Sequence, residues 1–373
     1  METVIKPECF KISKRNVKTN IFVMAFIKTV TRDNAIKFAV ISEILKNFSK
    51  KYKTPVEMSR RLNEMLGAVY DVQCIKKGDN LVLCLTLECI KSVSDKEAEG
   101  FLEDIVLKPM ADEGGFEKEV FKKACDAVRE RIRARKDDKK AYAEEKCVEI
   151  MFGKEGYGVP IDGYEEDLTF DRKELFEYYK GFFCERIIKG VMGTVTEAYV
   201  MPKENSDITE EDNSAQGRLC LSFTTKGEYM PLLVLNEIIG GNAGSKLFSS
   251  VREKESLCYY VNSSLNRFKK IIVVRAGIEK EAKEKTVRII KETIDGLKDS
   301  ITDEDMKTAK AAVKNIFMMK EDNLYGEVDN VIDGAILGFE PIKERMDRAE
   351  AVSKADVLEA CNGIRLNTVY FLA

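Results

Sequence analysis

The clearest pattern in the chain is a pair of apolar runs around a basic turn. Residues 68–75, "AVYDVQCI", and 80–88, "NLVLCLTLE", read as two strands joined by "KKGD". Leu81, Leu83, Leu85 and Leu87 alternate with other residues, so one face of that hairpin is predicted to be buried. Just before it, "TPVEMSRRLNEMLG" (54–67) carries a set of helix signals: Thr54 as cap, Pro55 at the first helical position, Glu57 to complete a capping box, and Gly67 as a stop. Met58, Leu62, Met65 and Leu66 form its expected buried stripe.

The pattern recurs. "LGAVYDVQCIKKGDNLVLCLTLE" (66–88) and "LCYYVNSSLNRFKKIIVVRAGIE" (257–279) have equal length, begin at leucine, hold two apolar strands around a basic turn and end at glutamate. "KKACDAVRERI" (122–132) matches "KTAKAAVKNIF" (307–317), and "IMFG" (150–153) matches "AILG" (335–338). The offset falls from 191 to 185, so one small deletion separates the copies. Each copy opens with a strand, "IFVMAFIKTV" (21–30) or "RLCLSFTTKG" (218–227), followed by a helix near 33–48 or 229–239. We read a tandem duplication of one α+β unit, each a mainly antiparallel sheet covered by helices on one face. The expected division is 1–200 and 218–373, with the polar, acidic segment 201–217 as linker.

Length and composition agree with two domains: 373 residues, 44% hydrophobic. The 61 basic and 64 acidic residues nearly cancel, which gives no electrostatic reason to expect nucleic acid as partner. The "RERIRARK" stretch inside the charged helix predicted over 116–140 is bracketed by acids and reads as a salt-bridged, solvated face. Apolar runs such as "LVLCLTL" (81–87) are too short to span a membrane, and the N-terminus has no apolar signal core, so a cytoplasmic location is expected. The 10 cysteines form no Cys-x-x-Cys pair and read as reduced, small apolar residues. Histidine is absent, which removes the usual general base and the commonest zinc ligand.

The stretch "GGNAGSKLFSSVREKESLCYY" (240–260) is the candidate site. It is not a P-loop, because Ser245 precedes Lys246 where glycine is needed and Leu247 stands where a magnesium-binding hydroxyl belongs. The preceding "YMPLLVLNEII" reads as helix, which excludes a dinucleotide fingerprint. Gly240 and Gly241 are expected to cap that helix and Gly244 to allow a sharp turn. The carboxylates of "EEKCVE" (144–149) read as a solvated helix face, and the acidic residues from Asp162 to Asp167 lack a calcium-loop pattern, so no metal is expected in this chain. Arg252 and Tyr259 offer a permanent fork of donors and a neutral phenolic donor, suited to a peptide carbonyl or a developing oxyanion. The bland reading pairs Arg252 with a nearby glutamate and half-buries Tyr259 at a strand start.

On these residues the chain resembles the pitrilysin/insulinase (M16) family of zinc peptidases, in its bacterial two-domain branch. "GGNAGSKLFSSVREKESLCYYV" is similar to the second-domain signature of that family, and "AYAEEKCVEIMFGKEGYGVPIDGYEEDL" to the end of its first domain. The resemblance implies two homologous α+β units. Active members carry His-x-x-Glu-His on the first domain's opening helix and a further glutamate on a later one. "AVISE" stands there instead, with Ala39 and Glu43 in the histidine positions and Ser42 in that of the catalytic glutamate; the later glutamate falls near Glu130 or Arg131. Catalytic zinc needs three protein ligands, so Glu43 alone does not restore the site. Arg252 and Tyr259 match the family's carbonyl-binding pair. The resemblance implies a non-zinc subunit that works with a zinc-bearing paralogue on peptide substrates, inactive alone, with Gly240, Gly241, Asn242 and Gly244 next to the substrate. A non-catalytic scaffold or peptide-binding subunit is the alternative, and a homodimer is a third possibility in isolation.

Overall fold

The computed structural model describes residues 8–184, 187–188, 191–193, 202, 205–338 and 340–373. The start of the expected linker, at 201, 203 and 204, and the end of the expected first domain, at 194–200, lie outside the described residues. The chain groups into two compact units, both discontinuous: 1–135 with 155–198 and 320–339, and 136–154 with 199–319 and 340–373. The consecutive division read from the sequence differs from this grouping at two short segments, 136–154 and 320–339, each of which packs with the other half of the sequence.

In the first unit the hairpin strands Val69–Lys77 and Asn80–Ile90 pair antiparallel, closed by Gly78 in the left-handed region at φ 60°. Asn80–Ile90 pairs in turn with the strand Thr19–Thr29, from Thr19↔Ile90 to Thr29↔Asn80. Five helices cover one face of this sheet, and their apolar stripes share its core through residues such as Phe38, Ile41, Phe101, Val128 and Tyr179. Thr31, Thr54 and Ser94 cap three of them, each accepting a bond from a backbone N–H three residues on. Thr54 acts as predicted, but Glu57 reaches back to the Lys53 N–H at 2.7 Å. Leu66 departs from its expected place in the stripe. It sits at φ 59° and is exposed, because the helix has already ended at Glu64.

The sheet has a second covered face. Ile21, Val23, Ala25, Ile27, Val82 and Cys84 pack against Leu324, Val328 and Ile332 of the helix Leu324–Leu337. The hairpin turn ties the same helix down: Lys77 pairs with Asp333 at 3.0 Å and with Asp329.

The second unit repeats the plan. Its sheet runs Cys258–Asn266, Ile271–Ile278, Gly217–Thr224, Arg365–Leu372, Ser206–Glu210, and only the last pair is parallel. The segment read as a linker therefore contains a strand. Helices again build the core on one face. The helix Lys139–Phe152 lies on the other face, with the Cys147 thiol 3.1 Å from the Ser222 hydroxyl and Arg275 forked onto Glu144. The long helix predicted over 116–140 is thus two elements. Lys118–Ala134 ends in a short turn, and Asp138 caps the next helix by accepting from the Lys140 and Ala141 N–H groups. Of the carboxylates read as a solvated face, Glu149 is buried beside Lys146 and Glu144 is spent on Arg275.

Burial alone would lower the Lys77 pKa, but Asp333 and Asp329 outweigh it and raise it; the opposite balance, burial against Lys77 and Lys320, holds Asp329 below its ordinary value. Lys77→Met strands Asp333 in the interior without its cation and is expected to cost about 3 kcal/mol in urea unfolding. Asp329 contributes stability above its unfolded pKa of roughly 4, and that contribution is lost as pH falls through the lower folded value. Wild type should therefore show an acid-side loss of stability that Asp329→Asn reduces, checked by thermal melts between pH 2 and 6.

Candidate functional site

The helix Arg32–Asn47 carries the positions where the sequence places a degenerate zinc motif. Ala39 offers no donor atom. Ser42 is buried, and its hydroxyl donates to the Ala39 carbonyl at 2.8 Å. Glu43 accepts from Arg131 at 2.6 Å and from the Asn47 amide at 3.3 Å. The same Arg131 guanidinium meets Asp162 at 2.9 Å. A cation supplied by the chain thus stands between two carboxylates, and although burial opposes its charge, Asp162 and Glu43 raise its pKa further. The neighbouring Cys74 thiol is pushed up to about 12 by burial, so it remains protonated and a poor metal ligand. Among the described residues no three histidine, cysteine or carboxylate side chains group to hold an ion. This donor set does not fit catalytic zinc.

Glu130 and Arg131 differ in helix phase. Val120, Ala124 and Val128 are the buried residues of Lys118–Ala134, and Arg131 continues their face while Glu130 points to solvent. The other cations of "RERIRARK" are also engaged: Arg129 with Asp126, Arg133 with Glu165, and Arg135 with the Gly163 carbonyl.

The second candidate lies in the other unit. The helix Tyr229–Asn236 widens into a π-helical turn over Glu237–Gly241, and a second π-helical stretch spans Phe248–Lys254. Single π-turns within helices recur at functional sites. Between them, Asn242 ends the first turn; its amide donates to the Glu237 carbonyl at 2.9 Å and accepts from the Gly244 N–H at 2.8 Å. Lys246 pairs with Asp305 at 2.6 Å and donates to the Ser300 carbonyl, so it is not offered to a phosphate.

The glycines have separate jobs. Gly240 is buried, and a Cβ there would lie 2.8 Å from the Ser263 N of the adjacent strand. A Cβ on Gly241 would strike the Glu237 carboxyl, itself buried and raised in pKa by that burial, with Asn236 and Asn242 partly offsetting the shift. Close packing against backbone therefore requires glycine at 240, and both glycines lie inside the π-helical turn and not at its cap. Gly244 is exposed, meets only Asn242 Oδ1 at 3.4 Å, and lies outside the left-handed region.

Arg252 rides on the second π-turn. It is exposed, its guanidinium stacks 5.0 Å from the Phe248 ring centroid, and it makes no ion pair among the described residues. Tyr259 is the extra residue of a β-bulge: Cys258 faces Ile278 and Tyr260 faces Gly277, leaving Tyr259 unpaired in the ladder. The bulge has a packing cause. Cys258 and Val261 both pack on the helical core, which strict alternation forbids for residues three apart, and the bulge absorbs the mismatch and turns Tyr259 outward. Its hydroxyl donates to the Glu279 carboxylate, which holds the Tyr259 pKa above its ordinary value and keeps the phenol a donor. No hydrogen bond joins Arg252 to Tyr259 among the described residues. The duplication sharpens the contrast. At the offset of 191, the counterpart of Arg252 is Arg61, spent on Glu97 at 2.7 Å and Glu64, and that of Tyr259 is the buried Ala68.

Residues 194–313 match the family described as peptidase M16 inactive domain. Over 97% of its length the chain is 25% identical to a probable inactive metalloprotease, YmfF, of Bacillus subtilis strain 168, covering 94% of that protein. It is 24% identical over 73% of both chains to an uncharacterized zinc protease, YmxG, of the same organism. Among solved structures, a conserved protein from Enterococcus faecalis V583 superposes with TM-score 0.82 at 22% identity over 98% of each chain. A peptidase M16 inactive domain from Pseudomonas fluorescens gives 0.78 at 15% identity over 97% of this chain and 94% of its own. The expected α+β fold of antiparallel sheets and the resemblance to M16 proteins are borne out. No helix among the described residues is long and apolar enough to cross a membrane.

Gly240→Ala should destabilise by at least about 1 kcal/mol, since backbone rather than a flexible side chain opposes the added methyl, while Gly244→Ala should melt within error of wild type. Glu279→Gln should bring the Tyr259 pKa down toward its ordinary value, read from ring-labelled tyrosine in NMR with Tyr259→Phe to assign the signal.

Proposed function

We propose that this chain is the zinc-free half of a two-chain M16-type peptidase and lends Arg252 and Tyr259 to a catalytic centre held by a zinc-bearing paralogue. The observation that carries the reading is an exposed guanidinium, fixed on Phe248 but without a carboxylate partner, on a segment that also presents an outward-facing phenol. A surface arginine with no ion pair is ordinary; one pinned over an aromatic ring beside a bulged tyrosine is a prepared donor set. In the partner, zinc would supply the activated water. Arg252 would hold a peptide carbonyl, and Tyr259, kept protonated by Glu279, would release that carboxylate to donate to the oxyanion. Gly241, Asn242 and Gly244 would lie next to the bound peptide, whereas Gly240 serves packing.

A second reading, a non-catalytic peptide-binding subunit, draws support from the Tyr259 hydroxyl being occupied by Glu279 within the chain itself. Kinetics of the reconstituted pair separate the two. The chain alone should cleave no peptide. Together with its paralogue, Arg252→Ala should lower kcat by about a hundredfold and Tyr259→Phe by at least tenfold, with little change in the affinity between the chains. A mutant pair as active as wild type would leave only the binding-subunit reading.

A further inference from the structure

A cavity of about 660 Å³ opens in the first unit between one face of the helix Lys118–Ala134 and the segment leading into the helix Arg172–Lys180. That size is within the range of small-ligand sites. Its floor is apolar. Phe121 and Phe170 meet edge to face with centroids 6.3 Å apart, and Leu168 and Cys125 complete the surface. The charges at its mouth divide into two groups. Arg129 is neutralised by Asp126 at 2.6 Å and approaches Glu165 at 3.5 Å; Arg172 grips Asp112 at 2.7 Å; Asp171 is spent capping, accepting from the Lys173 and Glu174 N–H groups. The ammonium groups of Lys118, Lys122 and Lys173 have no hydrogen-bond or ion-pair partner among the described residues. The helical spacing of Lys118, Phe121, Lys122 and Cys125 puts cation and apolar floor side by side, so one molecule can touch both.

We propose that this cavity binds a small amphipathic carboxylate, its apolar body on Phe121, Phe170 and Leu168 and its headgroup among Lys118, Lys122 and Lys173. The charge pattern argues for an anion because every carboxylate lining the cavity is already paired and three cations are not. The apolar floor argues for a hydrocarbon or aromatic body over an inorganic anion, which would leave the phenyl rings facing water. The site is independent of Arg252 and Tyr259, which lie in the other unit.

The test is calorimetric titration of the full chain with dodecanoate below its micelle concentration, alongside dodecan-1-ol and acetate. One saturable site for dodecanoate is expected, with the alcohol and acetate each weaker by roughly tenfold or more. Lys118→Glu/Lys122→Glu/Lys173→Glu should lose that preference for the carboxylate while keeping the wild-type melting temperature, since all three side chains are exposed. A Cys125→Trp variant, which fills the floor, should lose dodecanoate and dodecanol alike, and dodecanoate should slow maleimide labelling of Cys125 in wild type. Absence of saturable binding, equal affinity for acid and alcohol, or undiminished dodecanoate binding by the charge-reversed variant would each overturn the proposal.

Discussion

The strand Thr19–Thr29 is buried on both of its faces, and the architecture follows from the need to keep it so. Phe22, Met24 and Phe26 look into the helical core, whereas Ile21, Val23, Ala25 and Ile27 look the other way. A sheet with two apolar faces cannot leave one in water. Here the second cover comes from Leu324, Val328 and Ile332, more than three hundred positions along the chain. The second unit solves the same problem with the helix Lys139–Phe152, using polar contacts at Ser222 and Arg275 as well as packing. Compactness and sequence order therefore disagree, although the ancestral unit is still visible as a repeat.

Duplication has left two versions of one scaffold in different chemical states. In the first unit the groups at these positions are satisfied within the chain: Arg131 pairs with Glu43 and Asp162, and Arg61 is tied to acids. A guanidinium is thus the positive charge between these two carboxylates. In the second unit the cation equivalent to Arg61 is exposed and held by a ring, and a bulge turns a phenol outward. The first set of groups is satisfied within the chain, whereas in the second Arg252 and Tyr259 are exposed.

Much of this was legible in the residues. The hairpins, the repeat, the Thr54 cap and the antiparallel α+β class all follow from alternation and spacing. The second cover was signalled too, because "IFVMAFI" is a continuous apolar run and not an alternating one, but such a run does not say which distant helix supplies the cover. The phase of Val120, Ala124 and Val128 turns Arg131 inward and Glu130 outward once the helix is known to run through that point. The π-turns and the bulge at Tyr259 were not legible. A π-turn changes which carbonyl each N–H meets without altering the apolar pattern much, and the bulge shows only when Cys258 and Val261 are seen on one core. The unpaired state of Arg252 is likewise a fact of placement, since Glu253 and Glu255 are its sequence neighbours and neither reaches it.

The late-arriving helix over the first sheet also sets an order of events during biosynthesis. While the ribosome is still adding residues beyond the first two hundred, the nascent first sheet has its helical side formed and its other side, with Ile21, Val23, Ile27 and Val82, bare. Only when Leu324–Leu337 clears the exit tunnel can that surface be sealed. A message truncated before that point would deliver a half-clad apolar sheet to the cell.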